Sequence, residues 1–444
     1  MIPTNALYQG KKESAAGRRY RTNIQPQSGS TFTEGQTITI NIPTRANTLL
    51  IPSESTLNFN IAVTSAATAI RLESCGAHAF IQRLRVYHGS NLLEDIDNYG
   101  VLAKVLMDYT APEDMIHGKG SMLIGTRSEY YVADGTGATP AIAGNAYPVN
   151  SGALMTSTTV TPFNLNLISV LGSLSASKYL PLFAMTAAPL RLELQIVANA
   201  NMALLSTTAT STLSITSVEY VGEFLELSDT AVATIMSGAQ SPLQYVLPSY
   251  RNYVWSYGSN IGANTQIAMP IPAKFSSLKS LFVTSRNAAD AAGQAGYFPL
   301  GSLRNTLGSF QFRIGSQVVP SKAPSTSPEF AIEAFKCFAS IADLSHQPSI
   351  DNNAFTTART QANTALLAAS TNSGSFLIGL DCEVYAGADK NAYFAGLNTN
   401  TDDIYLNATY SGGAGLDASP YRYDAFACYD QVLVCENGVA YVRF

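Results

Sequence analysis

Apolar and polar residues alternate with a period of two through most of this chain. In "TITINI" the pattern places Ile38, Ile40 and Ile42 on one face, and in "LNFNIAVT" it does the same for Leu57, Phe59, Ile61 and Val63. In "LRLELQI", Leu190, Leu192, Leu194 and Ile196 alternate with Arg191, Glu193 and Gln195, and "VEYVGEFLEL" at 218 to 227 follows less strictly. The second half supplies "SLKSLFVTS", "FQFRI", "FLIGLDCEVY", "IYLNATY", "FACYDQVLVC" and "VAYVRF". Clean alternation buries one face of a strand and wets the other, which favours antiparallel sheets. Many such strands, with turn-rich loops between them and few helices, predict an all-β chain of sandwiches.

Three short helices interrupt the strands. "EDIDNYGVLAKVLMDY" puts Ile96, Tyr99, Leu102 and Leu106 on one stripe, so a helix is expected from about Asp95. "SPEFAIEAFKCFAS" offers Ser327 as N-cap, Pro328 at the first helical position and Phe330, Ala334, Phe335 and Phe338 as an apolar face. "SDTAVATIMSG" runs from Ser228 as cap to Gly238 as stop, close to the chain midpoint. The boundaries expected are an N-terminal arm over 1–25, a first sandwich over 26–228, a linker helix within 229–245 and a second sandwich over 246–444. Residues 133–160, 286–305 and most of 344–373 read as long loops of small polar residues that project from the sandwich ends.

One unit occurs twice. A strand ending at His88 meets Gly89-Ser90, the short run Leu92-Leu93 and then a helix. A strand ending at Ile314 meets Gly315-Ser316, Val318-Val319 and then another helix. The glycines lie 226 apart (315 minus 89), against 222 for half of the 444 residues. Order, offset and flanking strands agree, which indicates tandem duplication of a whole domain. The period is far too long for a solenoid.

Composition sharpens this picture. Charged residues are 13% of the chain, about half the usual share, while apolar residues stand at an ordinary 46%. A weakly charged surface suits a protein largely covered by copies of itself, because charge is costly to desolvate at an interface. The net charge of −5 argues against bulk attraction to nucleic acid. The exception is "GKKESAAGRRYR", where Lys11, Lys12, Arg18, Arg19 and Arg21 face Glu13 alone. It reads either as a solvated tail or as an arm laid on an anionic surface. Polar residues follow Met1-Ile2-Pro3-Thr4, so no signal peptide is expected, and no run of 18 apolar residues predicts a membrane-spanning helix. Cys75, Cys337, Cys382, Cys428 and Cys435 show no CxxC spacing and read as buried free thiols.

Catalytic patterns are missing. His78, His88, His117 and His346 form no zinc spacing, and neither a GxSxG elbow nor a phosphate-cradling glycine loop occurs. His88 reads as a turn or interface residue. His117 with Glu113 and Asp114, and the acidic pairs Glu94-Asp95 and Asp402-Asp403, read as loop or helix-start charge rather than cation ligands. Trp255, with Tyr250, Tyr253 and Tyr257, makes an aromatic strand suited to cross-strand packing, to a subunit contact or to a sugar platform. No catalytic residue, metal or cofactor is expected.

Three stretches carry a family resemblance: "AHAFIQRLRVYHGSNLLEDIDNYGVLAKVLMDY" at 77 to 109, "KYLPLFAMTAAPLRLELQIV" at 178 to 197 and "LGSFQFRIGSQVVPSKAP" at 307 to 324. They resemble double jelly-roll major capsid proteins of the tectivirus and adenovirus lineage, most of all those of the Polinton-like virus and virophage group. The resemblance implies two tandem antiparallel jelly rolls, homotrimeric pseudo-hexagonal capsomers and an icosahedral virion shell. It also implies minor capsid or penton proteins as partners, synthesis in the host cytoplasm or nucleus, and no small-molecule substrate. Lys11, Lys12, Arg18, Arg19 and Arg21 would then lie on the inner side, against genome, internal membrane or a neighbouring capsomer. Two other readings stay open. One is a β-sandwich adhesin or glycan-binding spike using Trp255, and the other is a polysaccharide-active enzyme on the same scaffold.

Overall fold

The computed structural model describes residues 17–64, 70–126, 154–155, 160–172, 178–206, 211–238, 242–257, 265–292, 299–304, 306–343, 348–350, 352–356, 374–384, 394–411 and 421–444. The first half holds β1 (Gly17–Ile24), β2 (Thr31–Thr33), β3 (Thr37–Ile42), β4 (Thr48–Leu50), β5 (Thr56–Thr64), β6 (Ile70–Leu72) and β7 (Ile81–His88). It continues with β8 (Asn91–Asp97), β9 (Leu154–Met155), β10 (Val160–Leu165), β11 (Leu190–Ile196), β12 (Leu204–Ser206) and β13 (Thr212–Leu227). The second half holds β14 (Leu243–Tyr257), β15 (Thr265–Ile271), β16 (Leu278–Asn287), β17 (Leu307–Ile314), β18 (Gln317–Val319), β19 (Ile378–Asp381), β20 (Ile404–Tyr410), β21 (Tyr421–Glu436) and β22 (Val439–Arg443).

The strands form two sandwiches of one topology. In the first half one sheet runs β1-β13-β5-β10 and the other β3-β11-β7-β8; in the second half the sheets run β14-β21-β16-β19 and β15-β20-β17-β18. Beside these paths, β2 and β4 join β13, β22 joins β21, and β12-β6-β9 form a small separate sheet. If the eight strands on these two paths in each half are lettered B to I in chain order, both halves read B-I-D-G and C-H-E-F. That is the strand order of a jelly roll, and every named pairing within these four sheets is antiparallel. The repeat therefore holds for all eight strands of the jelly-roll order. β1 and β14 also begin 226 residues apart (243 minus 17), the same offset as the two turn glycines.

The predicted alternation is what fills the cores. Ile38, Ile40, Ile42, Leu57, Phe59, Ile61, Leu192 and Leu194 are all buried in one apolar cluster, and Phe310, Phe312, Leu406 and Ala408 do the same work in the second half. Two strands break the alternation for a physical reason. All ten residues of β16 are buried, and so are most of β21, because both faces of that sheet are covered. The helix Ser327–Lys336 covers part of the outer face, with Phe338 just beyond its end against Phe282 at 5.3 Å between ring centroids.

The repeated hairpins are both two-residue turns at sheet edges. His88 pairs with Asn91 across Gly89-Ser90, and Ile314 with Gln317 across Gly315-Ser316. Gly89 and Gly315 stand at φ 59° and 57°, a left-handed conformation that side chains disfavour and tight hairpin turns require.

Several boundaries differ from expectation. β8 extends to Asp97, so "EDID" is strand and the helix starts at Tyr99. Cross-strand pairing decides this, since Arg83 grips Asp95 through two bonds of 2.7 Å. Ile96 is thus a strand residue, while Tyr99 and Leu102 are buried on the helix. The cap of the later helix is Thr326, one residue earlier than Ser327, in a capping box with Glu329. Asp229–Gly238 is helical, Ser228 Oγ accepts from the Ala231 amide at 3.2 Å, and β14 has begun by Leu243. Arg286 and Asn287, expected in a loop, close β16. The remaining loop expectations over 133–160 and 344–373 fall mostly outside the described residues.

Candidate assembly surface and the seam between the sandwiches

Among the described residues no group of three His, Cys, Asp or Glu side chains could hold a metal ion. His117 Nε2 lies 2.9 Å from Glu113 Oε1 in a local contact, and Lys274 pairs with Asp403 at 2.8 Å. All five cysteines are free and buried, as expected. Burial raises the Cys428 thiol to about 11 and the Cys435 thiol to about 12, which suppresses thiolate reactivity. Trp255 is half-buried, with its ring 5.6 Å from Tyr423 and 5.9 Å from Tyr257, so it packs across strands.

Of the five basic candidates, Lys11 and Lys12 lie outside the described residues. Arg18, Arg19 and Arg21 lie on β1, which pairs with β13 from Gly17 opposite Leu227 to Ile24 opposite Tyr220. The expected arm thus gives way to sheet by Gly17. Arg18 stands opposite Glu226 and Arg21 opposite Glu223, while Arg19 Nε donates to Glu223 Oε2 at 3.0 Å and its Nη2 lies 3.6 Å from Glu54. The bond to Glu223, more than any other influence, holds the Arg19 guanidinium above its ordinary range. Arg19 is therefore ion-paired, and Arg18 and Arg21 stand in register opposite acids of β13, so what looked in one dimension like a basic arm runs beside a row of carboxylates. The three arginines remain exposed along the edge of the sheet.

The chemistry the sequence did not reveal sits where one sandwich meets the other. His88, at the end of β7, receives the Ala440 amide of β22 on Nδ1 and stands 3.0 Å from the Met185 carbonyl through Nε2, a pattern that fits the neutral ring with its proton on Nε2. Asn91 donates to the Ala440 carbonyl at 3.0 Å, and the Ala187 amide to the Gly438 carbonyl at 3.0 Å.

Deeper in the seam, Asp424 accepts from Arg286 Nε and Nη2 at 2.8 and 2.6 Å, from Arg422 Nε at 3.1 Å and from Asn98 Nδ2 at 3.2 Å. Asn98 also accepts from Gln82 and from Arg422, each at 2.9 Å, and donates to Asn252 at 2.9 Å. It stands at φ 50° just before the helix Tyr99–Thr110, a left-handed backbone that Asn tolerates better than most residues.

A second buried cluster joins that helix to the other half. Lys104 Nζ lies 2.5 Å from Asp108 Oδ2 and donates to Ser375 Oγ at 3.3 Å; Ser375 Oγ donates to Asp108 at 2.8 Å and Tyr109 to the Ser375 carbonyl at 2.8 Å. Burial alone would discharge Lys104, but Asp108 and Glu73 outweigh it and raise the ammonium above its usual range. His78 is fully buried and lowered to about 4, so it is neutral, with Nδ1 3.0 Å from the Tyr99 hydroxyl. Buried, satisfied networks of this kind fix two bodies in one orientation.

No family model matches the chain, and no curated protein matches it. Solved structures do. The chain aligns with the capsid of the virus PBCV-1 over 98% of both chains, at 11% identity and a TM-score of 0.61. A chain of the Sputnik virophage structure is covered over 92% of its length by all of this one, at 12% identity and a TM-score of 0.60. The mavirus major capsid protein is covered over 95%, again by the whole chain, at 13% identity and a TM-score of 0.56. The fold is the double jelly roll of viral major capsid proteins.

In a double jelly roll the seam is the joint between two like bodies, and here each body contributes different parts. The first roll supplies the ends of β7 and β8 and the helix Tyr99–Thr110; the second supplies β14, β21 and β22. Asp424 and Arg286 were missed because their partners lie far off in sequence, and Glu73 and Asp108 because their contacts with Leu300 and Ser375 reach across to the other half. Arg286 and Asp424 are separated by 138 positions, and no local spacing announces such a pair. The one legible signal was charge placed among apolar and aromatic strand residues, as with Asp424 in "YRYDAFAC".

Proposed function

We propose that the chain is a major capsid protein whose homotrimers form pseudo-hexagonal capsomers that tile an icosahedral virion shell. The observation that carries this reading is two jelly rolls of identical strand order locked side by side by a buried polar seam. Three such rigid pairs supply six similar bodies for a hexagonal tile. The low charge supports extensive self-contact, and so do exposed apolar side chains outside the seam, among them Met122, Val254, Ile332, Ile341 and Val384. The partners are further copies of the chain, together with minor capsid or penton proteins, and the role is structural rather than enzymatic. Lys11 and Lys12 are proposed to face genome, internal membrane or a neighbouring capsomer. Arg18, Arg19 and Arg21 frame the start of that segment, with their charge partly matched by Glu223, Glu226 and Glu54.

Sedimentation of the purified chain tests the proposal. A trimer of 47.2 kDa chains, about 140 kDa, or closed particles are expected. A monomer that persists at high concentration overturns it. In the same preparation Trp255→Ala is expected to change stability or assembly only, because its ring packs on Tyr257 and Tyr423. Loss of glycan binding in that variant would favour the adhesin reading instead.

A further inference from the structure

We propose that Glu94 makes the docking of one jelly roll on the other proton-dependent: with the carboxyl protonated the seam closes, and ionisation loosens it. This concerns the joint inside a single chain, and it does not depend on the capsid reading.

The geometry begins in β8. The ladder between β7 and β8 shifts register between Val86 and Tyr87, and the inward and outward pattern slips with it. Leu93 and Glu94 are therefore both buried, and Glu94 is only 3% exposed. Its Oε2 accepts from Ser169 Oγ at 2.6 Å and from the Val170 amide at 3.0 Å, both uncharged donors. No ion pair among the described residues involves Glu94. Across the seam the Ser249 hydroxyl of β14 stands beside the carboxyl, yet neither Glu94 Oε1 nor Ser249 Oγ completes a hydrogen bond. Gln431 Oε1 of β21 is likewise without a donor.

The surrounding charges offer little compensation. Asp95, the next residue, is held by Arg83. His88 is engaged through both ring nitrogens, and the Tyr99 and Tyr429 hydroxyls are buried and neutral. Arg251 of β14 is exposed; it lines, with Glu94, Tyr429, Gln431 and Tyr441, a cavity of about 410 Å³ between the rolls. It is the only basic residue of that lining.

A proton on Oε1 resolves the arrangement, because it removes the unmatched charge and still leaves a hydrogen bond open between the carboxyl and the Ser249 hydroxyl. An ionised carboxylate instead places charge where no cation meets it. Its hydration must come from the cavity, by parting β8 from β14.

Burial lifts the Glu94 carboxyl from 4.5 to about 7, against the pull of Ser169, Val170 and Ser249. A raised carboxyl contributes its stabilisation in full below pH 4.5 and loses it as the pH climbs through about 7. The difference corresponds to roughly 300-fold in proton affinity, which caps the change in the open population across that window.

Hydrogen exchange on the unassembled full chain between about pH 5 and pH 8, corrected for intrinsic exchange, provides the test. Peptides over 91–97, 246–251 and 438–442 are expected to lose protection as pH rises, by up to about 70-fold over this window, the part of the cap that lies above pH 5. In Glu94→Gln the same peptides are expected to respond little. An equal pH response in both proteins overturns the proposal, and so does a loss confined to other segments. If the variant does not fold, wild type still decides. The infrared band of a protonated carboxyl must then be present at pH 6 and fade in step with the exchange, and its absence at pH 6 refutes the latch.

Discussion

Replacing Asp424 by Asn probes the seam most severely. The side chain is fully buried and accepts from four donors, two of them on Arg286. Asn keeps the shape and removes the charge. Arg286, 3% exposed, then retains only the Pro299 carbonyl and an amide oxygen for its own charge, while Arg422 at 25% can still reach solvent. Removing one partner of a buried ion pair costs about 3–5 kcal/mol, mostly as stranded charge. With a urea slope of about 3 kcal/mol/M for a domain of this size, the midpoint should fall by roughly 1–1.7 M. The double variant Arg286→Met with Asp424→Leu should lose less than the two single losses added, since it strands no guanidinium on that side. Equilibrium urea unfolding followed by fluorescence measures Asp424→Asn, the double variant and its two single variants. A midpoint shift below about 0.3 M for Asp424→Asn, under roughly 1 kcal/mol, would sink the view that this pair, inside the second roll and bonded across the seam by Asn98, is a costly one to break.

Further outcomes follow from local geometry. Gly89→Ala and Gly315→Ala should each cost about 1–2 kcal/mol in thermal unfolding, because both need a left-handed backbone, and Gly315→Ala should be the worse since its new Cβ would lie 3.0 Å from Asp402 Oδ1. Thr326→Ala should cost about 1 kcal/mol through loss of the cap; in the same box Lys322, then the Ser325 and Thr326 amides, hold Glu329 down at about 2, so the stability difference between wild type and Glu329→Gln should be present above pH 4.5 and vanish as pH falls towards 2.

What the sequence disclosed is what depends on neighbours. The β3, β5 and β11 alternations, the two turn glycines and the helix stop at Gly238 are local signals, and they place most of both sandwiches. The errors share a cause as well. "EDIDNYG" has helical spacing, yet Asp95 meets Arg83 across a strand pair and the ladder wins. "GRRYR" looks like a loose basic tail because Glu219, Glu223 and Glu226 stand about 200 positions away. The seam was illegible for the same reason: it is built from Asn98, Lys104, Asp108, Arg286 and Asp424, each ordinary beside its own neighbours.

The contact between His88 and Ala440 closes over 352 positions. Formed first, from an unfolded chain, such a loop costs about 3 kcal/mol more in entropy than one of ten residues. Once each roll has folded, the two are tethered through the short segment around the helix Asp229–Gly238, and the same contact closes cheaply. Loop entropy therefore favours one order of events: each roll first, then the docking of β22 onto the first. A nascent chain should carry a finished first roll long before β22 exists, with the ends of β7 and β8 uncovered in the meantime. Those few residues are where a chaperone, or a premature encounter between copies, would find the unfinished molecule.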